Sequence, residues 1–115
     1  NEMYNIMVSF WGCVKKVFPE AWGLPPTESR LMHSAGIQAM GVLMDRIILR
    51  IPRDDQYIDS IIDALKSIKP YCAWVEGEWE GIGFKWNEIQ AVSKHIRMLA
   101  EYLLELDYLA SKDKK

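Results

Sequence analysis

Cysteine and histidine are scarce in this 115-residue chain, which holds two of each: Cys13 and Cys72, His33 and His95. A zinc centre needs about four ligands at recognisable spacing, and no CxxC pair or histidine cluster supplies them, so no metal is expected. No cofactor is expected either, because GxGxxG, P-loop, GxSxG and HExxH patterns are all missing. The run of Glu76, Glu78 and Glu80 lacks the spacing of a calcium loop. No apolar stretch approaches the roughly 20 residues of a membrane span, which argues against a membrane partner. There is no signal-peptide pattern to indicate an oxidising compartment. Cys13 and Cys72 are therefore read as reduced, partly buried thiols of a cytoplasmic protein.

Charge of one sign is also lacking. The formal net charge is −2, too small to draw the whole molecule to nucleic acid or to an acidic membrane. Any charged site must be a local patch. Half of the residues are apolar, an ordinary globular composition. A chain of this mass folds to a surface of roughly 6,500 Å² and buries about two-thirds of what the unfolded chain exposes. One domain with its own core is the expectation, with residues 1–110 as a single helical domain and 111–115 as a frayed charged tail. The chain opens at Asn1 and runs straight into a helical pattern, as expected of a domain excised from a longer protein.

Helical periodicity dominates what is present. Met3, Met7, Phe10, Val14 and Val17 alternate steps of four and three, which predicts a first helix from about Glu2 to Phe18 that Pro19 stops. A second helix ends near Ile51, ahead of Pro52. Either Thr27 caps it, or Ser34 caps a shorter version. Its stripe of Ile37, Met40, Met44, Ile47 and Ile51 is widened by Val42, Leu43, Ile48 and Leu49, so it reads as the middle of the fold. Gly36 and Gly41 lie inside it, at about 1 kcal/mol each relative to alanine, a cost tolerated more easily where another helix comes close. Asp54 or Asp55 caps a third helix, with Ile58, Ile61, Ile62, Leu65 and Ile68 facing inward and Pro70 ending it. Asn87 with Gln90 makes a capping box for a fourth, along which Ile89, Val92, Ile96, Leu99, Leu103, Leu106 and Ala110 keep a three-four spacing. The fold class is therefore all-α, a bundle of about four main helices with an aromatic-rich ordered loop before the last.

That loop, 71–86, combines Gly77, Gly81 and Gly83 with Trp74, Trp79, Phe84 and Trp86, after a short helix around Tyr71 to Val75. The four aromatics are a candidate partner-binding surface, as a stacking platform or a cation cage. Glu76, Glu78 and Glu80 disfavour phosphate and favour a basic partner. The plainer reading is a loop pinned to the core by its tryptophans. Arg30, Arg46, Arg50 and Arg53 form the candidate nucleic-acid-binding cluster, with Lys66 and Lys69 as further members. Asp45, Asp54 and Asp55 stand close enough in sequence to pair with them, which is the plainer alternative. An enzyme built on His33, Glu28 and the aromatic loop is a third reading and requires a pocket that gathers them. Cys13 has Lys15 and Lys16 nearby but no base in sequence reach, so it is a poor nucleophile.

Phe18-Pro19-Glu20-Ala21-Trp22, then Ser34-Ala35-Gly36-Ile37 opening an apolar helix, then Trp74 and Trp79 in a glycine-bearing loop before a final helix, resemble the C-terminal region of DGQHR-domain proteins. These are prokaryotic proteins that include regulators associated with DNA phosphorothioation gene clusters, and their N-terminal part resembles the ParB-like nuclease fold. The resemblance covers most of the chain. The naming Asp-Gly-Gln-His-Arg motif is absent, so no site residue of the family maps to a position here. The resemblance implies a helical region downstream of the signature domain, acting by DNA contact, dimerisation or docking. The expected function is thus a non-catalytic accessory or interaction module. Its partners would be the remainder of its own parent chain, another protein or a second copy of itself. DNA contact through the arginines is the alternative.

Overall fold

A computed structural model describes residues 2–113. It contains four α-helices, α1 (Glu2–Val17), α2 (Ser34–Arg50), α3 (Tyr57–Ile68) and α4 (Ser93–Asp113), and two very short strands, β1 (Glu78–Trp79) and β2 (Phe84–Lys85). The strands pair antiparallel, Glu78 opposite Lys85 and Trp79 opposite Phe84. Single 3-10 turns lie at Lys69–Tyr71 and Trp86–Glu88. The radius of gyration is 13.6 Å, against about 13.4 Å for a compact domain of this length. Among the described residues no helix is long and apolar enough to cross a membrane.

The packing order is α1, α3, α4, α2, so α3 and α4 each have a helix on two sides. This corrects the expectation that α2 is central. It packs chiefly on α4, and its Ile37, Val42 and Leu49 are exposed, Leu49 by 84%. Ala35, Gly36, Ala39, Met40, Leu43 and Ile47 are its buried face. Ile48 and Met44 are half-buried. The broad apolar girth of α2 is therefore only partly used inside the chain.

Three helix starts differ from their expected caps. At α2 neither Thr27 nor Ser34 caps. His33 does, its Nδ1 accepting from the Ala35 N–H at 3.1 Å. Two residues further on, a Cβ at Gly36 would fall 1.8 Å from the Arg30 carbonyl oxygen. Gly36 is thus held against the turn that precedes its own helix, whereas Gly41 faces no atom within 4 Å of a Cβ. At α3 the N-cap is Gln56, with no side-chain cap. The Asp54 carboxylate acts one turn earlier, accepting from the Gln56 N–H at 2.9 Å.

At α4 the capping box is displaced. Glu88 accepts from the Lys85 N–H at 2.7 Å and closes the 3-10 turn Trp86–Glu88. The helix begins only at Ser93. The segment before it is held by Arg30: the carbonyls of Asn87 and Ile89 accept from its guanidinium, at 2.9 and 2.8 Å. Ile89 is fully buried outside the helix and Val92 is exposed. The far end of α4 runs through Ser111 to Asp113, where a frayed tail was expected. Lys114 and Lys115 lie outside the described residues.

Candidate functional site

The aromatic loop is built around two positive-φ glycines, Gly77 (φ 84°), which leads into β1, and Gly83 (φ 73°), which ends the connecting turn and leads into β2. The two-residue alternation of the pair sends Trp79 inward and leaves Glu78 exposed. Trp79 meets Trp74 edge-on with centroids 4.8 Å apart, Trp74 meets Phe18 at 6.3 Å, and Trp79 meets Tyr102 of α4 at 6.1 Å. These T-shaped contacts form one chain of rings through the core. Gly81 permits the last of them, because a Cβ there would lie 2.1 Å from the Tyr102 ring. Trp74 is 3% exposed and Trp79 fully buried, so the expectation that they offer a stacking platform or cation cage is corrected. Their faces are spent on one another, where a free base or cation has no access.

Phe84 and Trp86, the other two aromatics of that surface, are half-buried. Phe84 lies against the His95 imidazole at 4.8 Å, and Trp86 carries the Arg30 guanidinium 5.6 Å from its ring centre. His95 in turn accepts from the Gln90 N–H through Nδ1 at 2.9 Å. Both histidines thus serve the backbone at the starts of helices.

Of the four arginines, Arg30 and Arg50 are already engaged within the fold. Arg30 is buried and donates to three backbone carbonyls: Nε to Ile89 at 2.8 Å, Nη1 to Pro26 at 2.8 Å and Nη2 to Asn87 at 2.9 Å. Its own N–H donates to the Trp74 carbonyl at 2.8 Å. It is a clamp between the turn before α2 and the segment before α4, with its fork withdrawn from any phosphate. Arg50 pairs with the buried Asp107 of α4 through Nε and Nη2. Its partner is not one of the sequence-adjacent aspartates. Arg46 and Arg53 are exposed. Lys69 donates to the Val17 carbonyl at 2.6 Å, lies 5.7 Å from the Phe18 ring and approaches Glu20 at 3.5 Å, which ties the end of α1 to the end of α3. Lys66 is exposed.

The chemistry-bearing groups are likewise separated. His33 uses its lone pair to cap α2. Burial first, and the nearby Arg30 second, hold its pKa below the ordinary histidine value. Glu28 is exposed on the turn before it. Cys13 is buried, and burial raises its pKa against the opposing pull of Lys16. Cys72 is held further above the ordinary thiol range by burial. Both cysteines are free thiols, and neither is poised as a thiolate. Among the described residues no three His, Cys, Asp or Glu side chains gather as metal ligands. A polar cavity of ≈ 270 Å³ beside Arg50 is lined by Asp63, Ser60, Ser67 and Ser111 among others. Three of its polar side chains are engaged: Ser67 donates to the Asp63 backbone carbonyl, Ser111 to the Tyr108 carbonyl, and Arg50 to Asp107.

The surface that stands out is on α1. The buried stripe of this helix is Ile6, Phe10, Cys13, Val14 and Val17, rotated from the expected one, since Met7 is 41% exposed. The side chain of Met3 lies outside the described residues. A second apolar stripe faces outward: Tyr4 (66% exposed), Met7 and Val8 (53%), followed by the half-buried Trp11. With Gly12, Lys15 and Trp22 these residues line an open groove of ≈ 420 Å³. A shallow continuation of ≈ 410 Å³ shares Gly12, Lys15 and Trp22 and adds Lys16 and Pro19. Trp11 is propped by an edge-on contact with Phe10 at 5.7 Å. The Phe18-to-Trp22 turn, with Trp22 donating its N–H to the Phe18 carbonyl at 3.1 Å, sets the second wall. The sequence carried a signal for this surface: Tyr4, Val8, Trp11 and Lys15 keep four-three-four spacing beside the inner stripe.

Comparison with known proteins finds no matching family, no matching curated protein and no matching solved structure.

Proposed function

We propose that this chain is a non-catalytic interaction module: an all-α helical bundle within a larger cytoplasmic, prokaryotic, DNA-associated protein of the DGQHR type. It docks through α1 onto the rest of its parent chain or onto another protein. The observation that carries this reading is the outward stripe of Tyr4, Met7, Val8 and Trp11, walled by Trp22. Tyrosine, tryptophan and methionine are the residues enriched in interface cores. A contiguous apolar groove rimmed by polar residues marks a binding surface more often than a bare surface does. The burial of Arg30, the pairing of Arg50 with Asp107 and the separated titratable groups support a binding role over a nucleic-acid-reading or catalytic one.

A photo-crosslinking amino acid placed at Val8 and, as control, at the exposed Asp45 of α2 tests the reading in cells. Adducts at Val8 and none at Asp45 are expected. No adduct at Val8, or equal adducts at both positions, would sink it. A ladder of copies of the chain itself would make the interface homo-oligomeric.

A further inference from the structure

The α1 groove has a composition and charge that narrow its occupant, granted that it is an interaction surface. We infer that it receives an amphipathic helix with carboxylates in its first turn, running antiparallel to α1. The groove extends from Tyr4 to Lys15, roughly 17 Å at 1.5 Å per residue, or about three helical turns. Its floor is a helix whose backbone groups are already paired, and its walls are indole and aliphatic carbon. An extended peptide laid there finds no backbone partners on that floor, whereas a helix pairs its own N–H and C=O groups internally. Gly12 leaves a notch, with no atom within 4 Å of where a Cβ would sit. One anchor side chain of the partner fits there, between Trp11 and Lys15.

Charge sets the partner's sign and direction. Lys15 borders both depressions and Lys16 the second, and among the described residues no carboxylate lines either. The cations stand at the C-terminal end of the groove, so the partner's acidic end lies there. Carboxylates are most stable in the first turn of a helix, which places the partner's N-terminus beside Lys15 and makes the pair antiparallel. A flat anionic membrane fits less well. Two lysines contribute only about 1 kcal/mol each at such a surface, and the chain as a whole is net negative.

The test uses the intact chain and records the Trp11 and Trp22 indole N–H resonances. The probes are a stapled amphipathic peptide of about three turns with Glu in its first turn, the same peptide with Lys there, and vesicles of phosphatidylcholine with phosphatidylserine. The Glu peptide is expected to shift both indoles and to bind about tenfold tighter than the Lys peptide, the effect of two surface ion pairs. The preference is expected to invert in the K15E/K16E variant and to vanish in K15Q/K16Q. Equal binding of the two peptides, or preference for the Lys peptide, would overturn the acidic partner while leaving the interaction surface standing. Indole shifts produced only by vesicles, or only by raising the protein concentration, would replace the helix with a membrane or a second copy. Undisturbed indoles under every probe would overturn both this inference and the interaction reading on which it rests.

Discussion

His33 shows how much a single side chain does here. Its Nδ1 accepts the Ala35 N–H, so the cap exists only while the ring is neutral. Burial and Arg30 lower its pKa in the folded chain. Below the ordinary value of about 6.5 the unfolded chain therefore binds a proton that the folded chain refuses. The contribution is fully present above that pH and declines as pH falls toward the lowered value. Urea denaturation at pH 7.5 and 5.5 is expected to show this loss in the wild type. His33→Asn keeps an acceptor at both pH values, and the His-dependent part of the loss should vanish. His33→Ala should cost about 1 kcal/mol at pH 7.5, the worth of a typical N-cap. A wild-type slope unchanged by His33→Asn would show that the imidazole is not the group responsible. Arg30 has a comparable reach: one guanidinium joins Pro26, Asn87 and Ile89 through their carbonyls, and so ties the turn before α2 to the segment before α4.

Between elements, the pairing of α2 with α4 rests on an apolar seam joined by the Arg50–Asp107 ion pair. Asp107 is buried, and Arg50, its partner, keeps a side chain 33% exposed. Removing the cation alone strands a carboxylate in the interior. Arg50→Met is expected to cost about 3 kcal/mol, the low end for a broken buried pair, since water reaches the arginine side. The double variant Arg50→Met with Asp107→Leu should recover most of that loss in the same urea titration, because desolvation offsets much of what the pair contributes. Equal losses in the single and double variants would show that the pair acts through something other than the stranded charge. At α1, by contrast, two apolar stripes divide the labour. Ile6, Phe10, Val14 and Val17 build the core against α3, while Tyr4, Met7 and Val8 are exposed and Trp11 is half-buried beside them.

Across the whole molecule, positive charge is dispersed. Arg30 lies inside, Arg50 is paired at the α2–α4 seam, Lys69 closes the α1–α3 corner, and the net charge is −2. Strong salt-dependent DNA binding requires several cations that neutralise phosphates together. Titrating the chain with short duplex and single-stranded DNA, followed by tryptophan fluorescence and anisotropy, is therefore expected to show no micromolar binding at low salt. Steeply salt-dependent binding that Arg46→Ala and Arg53→Ala weaken would instead establish the nucleic-acid alternative. The chain of rings from Phe18 through Trp74 and Trp79 to Tyr102 explains why tryptophan-rich sequence did not become tryptophan-rich surface in this loop.

Periodicity and proline placement determined the existence and order of the four helices, because each amphipathic run carries its own 3.6-residue signature and each proline removes a donor that a helix needs. The same local signals placed the loop between Pro70 and α4, and they held both stripes of α1 without distinguishing them. Tertiary structure alone decided which stripe of α1 turned inward, that α2 would lie at the side, and where α4 would begin. Those outcomes depend on partners distant in sequence: Arg30 reaching Ile89, Arg50 reaching Asp107, Trp79 meeting Trp74 and Tyr102. An apolar residue advertises that it prefers burial, and only the packed chain determines whether its own core, or another surface, buries it.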